Sequence, residues 1–187
     1  SPIVDCGVHY LDVMCQITES KPLSVSAIGI RLTEEIPNDN YNYGQLQIRF
    51  ADGSVGWYEC AWGPMISETA FFIKDVIGPK GSVSIISEDD IHSSDSDNIE
   101  NHTRNNCLKI HSSELDNNGE FVSPNKKVVY DEDPSHQDLC DNEQSFFYDS
   151  IINDIDLKDH LEDSYKSLQI ALACDQAVKS GGTIELD

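Results

Sequence analysis

The sequence predicts an α+β domain in which a mostly antiparallel or mixed open β-sheet carries its helices on one face. Apolar residues keep helical spacing near the start of the chain and again in its last third, while runs rich in β-branched and aromatic residues lie between them. Two of those runs are joined by Asp52-Gly53, a pair that is typical of the tight turn in an antiparallel hairpin.

The first half of the chain predicts a short helix and then strands. The helix covers residues 8–17 and ends before Ser20-Lys21-Pro22, because proline disfavours a helical conformation in the residue that precedes it. Strands are predicted at residues 23–32, 43–50, 54–62, 69–77 and 82–86. Within 43–50 apolar and polar side chains alternate, so we expect one buried face and one face turned to solvent or to a partner.

The second half begins with an acidic stretch, residues 87–106, which we expect to be a solvated and mobile segment. The remaining predicted elements are short strands at 108–111 and 127–130, helices at 137–152 and 161–179, and a final strand at 183–186. Gly181-Gly182 is placed where glycine commonly ends a helix. We therefore expect one domain over residues 1–187.

Charge and cysteine content exclude several classes of function. The 187-residue chain has 34 Asp and Glu against 12 Lys and Arg, and its net charge of −22 repels nucleic acid phosphates and anionic membranes. The sequence has no apolar run long enough to span a membrane and does not start with a signal-peptide pattern. Its six cysteines form no CxxC pair and are expected to be reduced thiols. We expect a cytoplasmic protein that binds neither nucleic acid nor membrane.

The candidate catalytic cluster lies at the very start of the chain. Asp5 and His9 are four residues apart, and His9 and Asp12 are three apart, so a helix would place all three side chains on one face. Carboxylates can orient a histidine, and histidine titrates near neutral pH, so this trio is suited to proton transfer. Cys6 lies between Asp5 and His9 and could line the same pocket.

Structural interpretations of these residues stay open. His9 can be a surface or structural histidine, and Asp5 can be a helix N-cap, where aspartate accepts backbone hydrogen bonds. The aromatic residues Trp57, Tyr58 and Trp62 could stack on a sugar, although aromatic residues in strands more often belong to the core or to subunit contacts.

Acidic residues and one histidine cluster at residues 89–97 and could bind a hard cation. The cluster lacks the glycine and the terminal glutamate of an EF-hand loop. We therefore interpret it as part of the solvated segment and expect no metal site.

A set of short motifs, taken in order, resembles a known family. The motifs are Asp5-x-Gly7-x-His9-x-x-Asp12, Lys21-Pro22 before a long strand, Gly78-x-x-Gly81-Ser82 in a turn, and a closing helix that runs into Ser180-Gly181-Gly182. Together they resemble the C-terminal domain of the Gfo/Idh/MocA oxidoreductases, whose fold is similar to that of GAPDH-like dehydrogenases. The resemblance covers nearly the whole chain outside the acidic stretch.

The resemblance implies the C-terminal part of an NAD(P)-dependent dehydrogenase. Proteins of this family bind NAD or NADP mainly in an N-terminal Rossmann domain, and this sequence has no GxGxxG motif, so we expect no cofactor-binding residues here. The family's lysine belongs to a Glu-Lys-Pro motif in that other domain. Lys21-Pro22 is not its counterpart because it follows the histidine instead of preceding it.

By the same resemblance, His9 would act as the general base, or as the acid in the reverse direction, and Asp5 would assist substrate binding or proton relay. Cys6, Asp12 and Trp62 would lie near a substrate that is a sugar, an inositol or a similar polyol. The family also implies a homodimer or higher homo-oligomer formed through the sheet. The isolated chain is expected to be inactive.

Two hypotheses of function follow. The first is the substrate-binding and dimerisation domain of such an oxidoreductase. The second is a non-catalytic binding or assembly module with the same fold, whose sheet serves mainly as a contact surface. The Asp5/His9 pair favours the enzyme, because a purely structural domain has no need of it.

Overall fold

The computed structural model describes residues 1–63, 74–86, 107–130 and 134–186. The chain forms two compact units: unit 1 combines Ser1–Ile66 with Ile155–Asp187, and unit 2 is Ser67–Asp154. Antiparallel sheets and helices make up the described residues, so the predicted α+β class is confirmed. The single domain expected from the sequence stays a prediction.

The elements follow the predicted order along the chain. The helices in the described ranges are α1 (Val8–Thr18), α2 (His136–Ile152) and α3 (Lys158–Ser180), and a π-helical turn, Ile3–Gly7, precedes α1. The strands are β1 (Pro22–Ile30), β2 (Tyr43–Phe50), β3 (Val55–Ala61), β4 (Lys74–Gly78), β5 (Gly81–Ile85), β6 (Cys107–Ser112), β7 (Lys126–Val129) and β8 (Thr183–Glu185).

Unit 1 contains an antiparallel sheet in the order β3-β2-β1-β8. In β2 the alternation predicted from the sequence is confirmed, because Leu46 and Ile48 are buried while Gln47 and Arg49 are exposed. The Asp52-Gly53 pair forms the predicted turn, in which the Ser54 N–H donates to Asp52 Oδ1 at 3.0 Å. One face of this sheet is therefore a core face and the other is open.

Helices α1 and α3 pack in unit 1 against each other, and α3 packs on β1. The buried core joins the π-helical turn, both helices and the inner face of the sheet: Ile3, Leu11, Cys15, Val25, Tyr41, Leu46, Ile48, Phe50, Cys60, Ile170, Ala171 and Cys174. Helix α3 ends as predicted at Gly181, which has φ 70° and donates its N–H to the carbonyl of Ala177 at 2.8 Å.

Helix α1 approaches the backbone of β3 closely at Gly56. A Cβ atom at this position would lie 2.5 Å from Met14 Sδ and 2.7 Å from Ile48 Cγ2. Real Cβ atoms do not come this close to other heavy atoms, so the absence of a side chain at Gly56 allows Met14 of α1 to reach the sheet. This contact helps to fix the position of α1 relative to β3.

Unit 2 contains a second antiparallel sheet in the order β4-β5-β6-β7. Gly78 pairs with Gly81 at the predicted turn between β4 and β5, and the two short strands of the sequence prediction pair with each other as β6 and β7. Helix α2 begins with a capping box, in which the Ser135 hydroxyl accepts from the Asp138 N–H and the Asp138 carboxylate accepts from the Ser135 N–H.

The strands divide between two sheets, whereas the sequence suggested one. Strand pairing between distant segments depends on tertiary contacts that the pattern of a single strand does not carry. The acidic stretch 87–106 and the start of the strand predicted at 69–77 lie outside the described residues. Across the described ranges, no helix is both long and apolar enough to cross a bilayer.

Candidate functional site

The candidate site is built on the π-helical turn that leads into α1. Ile3, the first residue of this turn, is fully buried. Ser1, which precedes the turn, donates its Oγ hydroxyl to Asp175 Oδ1 of α3 at 2.6 Å. The buried Tyr41 donates its hydroxyl to the same carboxylate oxygen. These contacts tie the start of the chain to α3, and π-helical turns inside or beside α-helices frequently occur at functional sites.

Asp5 lies within this turn and its carboxylate faces the end of β3. Trp62, the residue after β3, donates its indole N–H to Asp5 Oδ2 at 3.1 Å. The Cys6 thiol donates to the same oxygen at 3.7 Å. Gly7, which occupies the N-cap position of α1, has no capping side chain, so the alternative in which Asp5 is the N-cap is not supported.

Cys6 is half-buried beside this carboxylate. Burial raises the pKa of the Cys6 thiol, and the negative charge of Asp5 raises it further. The Trp62 indole N–H opposes these effects on the pKa, because it also stabilises the thiolate. Cys6 therefore stays a protonated hydrogen-bond donor at neutral pH.

Two tyrosines form an aromatic surface next to Cys6. The rings of Tyr10 and Tyr58 stack with centroids 4.7 Å apart and planes 23° from parallel. A Cβ atom on Gly7 would lie 3.3 Å from Tyr58 Cε1, so glycine at this position lets the Tyr58 ring approach the start of α1. Burial raises the pKa of both phenols, and both remain neutral donors.

His9 is the second residue of α1 and its side chain is exposed. No hydrogen bond joins its ring to any side chain in the described part of the chain. The structure therefore places His9 one helical turn beyond Asp5 with an imidazole that is open to a molecule arriving from outside the chain.

Asp12 does not accompany the other two residues of the predicted trio. Its Oδ1 accepts from Ser167 Oγ of α3 at 2.9 Å and its Oδ2 accepts from Gln16 Nε2 at 3.1 Å. Within the described residues, the Asp12 carboxylate is bonded once within α1 and once to α3, and no hydrogen bond joins it to His9. The roles assigned to His9, Asp5, Cys6, Asp12 and Trp62 stay predictions.

Sequence reasoning missed the stacked pair formed by Tyr10 and Tyr58 and the support that Trp62 gives to Asp5. Tyr10 lies in the helix predicted over residues 8–17, but no local signal brings Tyr58 of β3 to its ring. Among the described residues, no group of three or more His, Cys, Asp or Glu side chains is arranged to hold a metal ion.

The fold is α+β, with two antiparallel sheets, and in unit 1 the helices α1 and α3 pack with the sheet and carry a polar cluster at the start of α1. A family model described as "Oxidoreductase family, C-terminal alpha/beta domain" matches residues 2–186. This chain belongs to that family, the Gfo/Idh/MocA oxidoreductases, and the resemblance noted in the sequence is confirmed. A search of curated proteins found no match.

Solved structures share the fold. Levoglucosan dehydrogenase in complex with NADH and levoglucosan is 14% identical, with a TM-score of 0.68 over 97% of this chain and 49% of that one. The aldose-aldose oxidoreductase from Caulobacter crescentus, complexed with glycerol, is 17% identical, with a TM-score of 0.63 over 96% and 46%. An oxidoreductase domain protein from Kribbella flavida is 15% identical, with a TM-score of 0.68 over 98% and 49%. This chain spans less than half the length of each.

Proposed function

We propose that this chain is the substrate-binding and subunit-contact domain of an oxidoreductase that transfers hydride between NAD or NADP and a sugar, an inositol or a similar polyol. Family membership supports the reaction class. The names of two structural neighbours, a levoglucosan dehydrogenase with bound NADH and an aldose-aldose oxidoreductase with bound glycerol, support the substrate class. The six free thiols suit a reducing compartment, and we propose the cytoplasm.

The described residues lack the turn that would hold the pyrophosphate of a nicotinamide dinucleotide. Helices α1, α2 and α3 have Gly7, Ser135 and Leu157 at their N-cap positions, and none of the three is preceded by a glycine-rich turn from a strand. Such a turn is what places backbone N–H groups against a dinucleotide pyrophosphate. We therefore assign the cofactor to a domain outside this chain, and the isolated chain should show no saturable binding of NAD or NADP.

The observation that carries the proposal is the exposed imidazole of His9 beside the anchored carboxylate of Asp5. Oxidation of an alcohol requires a base for the hydroxyl proton, and histidine titrates close to neutral pH. His9 accepts this proton in the oxidation direction and returns it in the reduction direction. Asp5 accepts a hydrogen bond from a neighbouring substrate hydroxyl.

The outer face of the unit 1 sheet supports the proposal of a homo-oligomer. Ile28 and Ile30 of β1 and Val55 and Trp57 of β3 are all more than half exposed there. Cross-strand pairing of Gln47 with Trp57 continues this face across β2. Exposed apolar side chains on one face of a sheet can mark protein–protein contacts, so we propose that a second copy of the chain covers this face, polar residues of β2 included.

The test of the proposed function is the activity of the full-length protein with NAD and NADP against a panel of sugars and polyols. Replacing His9 with alanine should lower kcat by about 100-fold or more, since general base catalysis contributes about 10²–10⁴-fold. His160→Ala, which removes an exposed histidine from the first turn of α3, is the matched control and should leave kcat unchanged. Activity that is indifferent to His9, or no activity with any substrate, would favour the assembly module.

A further inference from the structure

The indole of Trp62 and the carboxylate of Asp5 are joined by a hydrogen bond that spans 57 residues of sequence. Both donors that reach Asp5, the Trp62 indole N–H and the Cys6 thiol, go to Oδ2. Within the described part of the chain, Oδ1 of Asp5 accepts no hydrogen bond. The protein therefore holds one oxygen of an exposed carboxylate and leaves the other one for a group from outside.

Trp62 is itself held in place by hydrogen bonds from its backbone to Asn42. Its N–H donates to the backbone carbonyl of Asn42 at 2.7 Å, and its carbonyl accepts from Asn42 Nδ2 at 2.9 Å. Both backbone groups of Trp62 are thus bonded to one residue, one step beyond the last register pair of β2 with β3, Tyr43 with Ala61. The end of β3 is fixed where an unsupported strand end would fray.

The side-chain amide of Asn42 is buried and is held in one orientation by its hydrogen bonds. It is 1% exposed, and its side-chain oxygen accepts from the Leu32 N–H at 2.7 Å. A buried amide is costly unless its hydrogen bonds are satisfied, and here the two ends of the amide are bonded to segments that follow β1 and β3. Rotation of the amide would break both bonds, so Asn42 sets the position of the Trp62 backbone.

We propose that Trp62 is a positioning residue for Asp5, and that the buried Asn42 holds Trp62 in the geometry this requires. Together they fix Oδ2 of Asp5, so that Oδ1 accepts a hydrogen bond from a substrate hydroxyl. The role of Oδ1 toward substrate rests on the proposed function, whereas the link from Asn42 through Trp62 to Asp5 does not. This assignment differs from stacking of the Trp62 ring on a sugar, because Trp62 acts through Asp5 and not by touching the substrate.

The hydrogen bond from Trp62 to Asp5 can be tested without an activity assay, from the NMR signals of 15N-labelled tryptophan indoles. Trp62→Phe identifies the Trp62 signal, and the exposed Trp57 is an internal reference on the outer face of the sheet. Asp5→Asn replaces a charged acceptor with a neutral one, which weakens the bond, so the Trp62 indole proton should move upfield while the Trp57 signal stays in place. Asp12→Asn is the matched control and should move neither signal. A Trp62 signal that ignores Asp5→Asn overturns the proposal.

Asn42 is tested in the same experiment. In Asn42→Ala the Trp62 indole signal should lose its response to Asp5→Asn, and a retained response contradicts the role of Asn42. Because removal of a buried amide can unfold unit 1, Asn42→Asp is the second variant: it keeps the Leu32 contact and removes the donor to the Trp62 carbonyl, so it should reduce the response while circular dichroism stays native.

The effect on substrate is tested in the full-length protein with a double-mutant cycle. Trp62→Phe keeps an aromatic ring and removes only the N–H, and it should lower kcat/KM about tenfold, as expected for the loss of a hydrogen bond to a charged group. In an Asp5→Asn background the same Trp62→Phe change should cost little more, because Trp62 acts only through the Asp5 carboxylate. Additive losses would indicate that Trp62 contacts the substrate directly. If the protein has no activity, the proposed function fails and the indole signals still decide the positioning role.

Discussion

At the scale of single residues, the candidate site combines groups that are held by the protein with groups that are open. Oδ2 of Asp5 accepts hydrogen bonds from Cys6 and Trp62, whereas the imidazole of His9 is exposed and makes no hydrogen bond within the described residues. A rigid acceptor beside an unrestrained base suits a ligand that brings several hydroxyl groups, because the acceptor fixes one hydroxyl and the base meets another.

The Cys6 thiol reports on the charge of Asp5. The thiolate is the reactive form of cysteine, and the carboxylate raises the pKa of Cys6, so Asp5→Asn should lower this pKa and speed alkylation by iodoacetamide severalfold at about pH 8. The measurement is made in a Cys140→Ser background, because Cys6 and Cys140 are the two cysteines that are not buried. Asp39→Asn, in the exposed connection between β1 and β2, should leave the rate unchanged. A slower rate in Asp5→Asn would contradict this electrostatic coupling.

At the scale of secondary structure elements, the contact of α1 with β3 at Gly56 has no room for a side chain. Gly56→Ala should destabilise the protein by about 1–3 kcal/mol, because an added methyl group would force Met14 and Ile48 apart. Urea unfolding followed by circular dichroism measures the change. Gly182→Ala is the control, since its Cβ would meet only Ser180 Oγ at 3.8 Å, and it should change the stability little. An unchanged stability in Gly56→Ala would show that α1 can shift away from β3.

The sequence predicted correctly the elements that depend on alternation, turn residues or helix-ending glycines within a few positions. The bounds of β2 match residues 43–50, and the Asp52-Gly53 turn and the Gly181 helix end are where the sequence placed them. The π-helical turn at Ile3–Gly7 escaped prediction, because it is stabilised by burial of Ile3 and by a bond from Ser1 to Asp175 at the other end of the chain. The candidate site shows the same limit: residue spacing predicted Asp5 and His9 as site residues, a prediction that is untested, and the bond to Trp62 arises only when β3 is in place.

At the scale of the whole molecule, the proposed oligomer depends on the outer face of the unit 1 sheet. Trp57→Glu replaces an apolar side chain on the β3 edge of this face with a charged one and should convert the oligomer to a monomer, as measured by light scattering, because burying an unpaired charge is costly. The control is Leu161→Glu, at an apolar position on α3 that is more exposed than Trp57, and it should leave the mass unchanged. A monomeric wild-type protein would overturn the proposed oligomer, and an oligomer that survives Trp57→Glu would move the contact to another surface.

The pairing of β1 with β8 has a consequence for how the protein is made. Ser24 pairs with Glu185, so unit 1 is assembled from both ends of the chain, and all of unit 2 is synthesised between them. On the ribosome, the edge of β1 that β8 covers stays unpaired until β8 emerges, and an unpaired strand edge is a template for aggregation. Unit 2, whose strands pair with their neighbours in sequence, has no such delay. Unit 1 therefore completes its fold only after translation of β8. Until then the free edge of β1 is open to pairing with other chains.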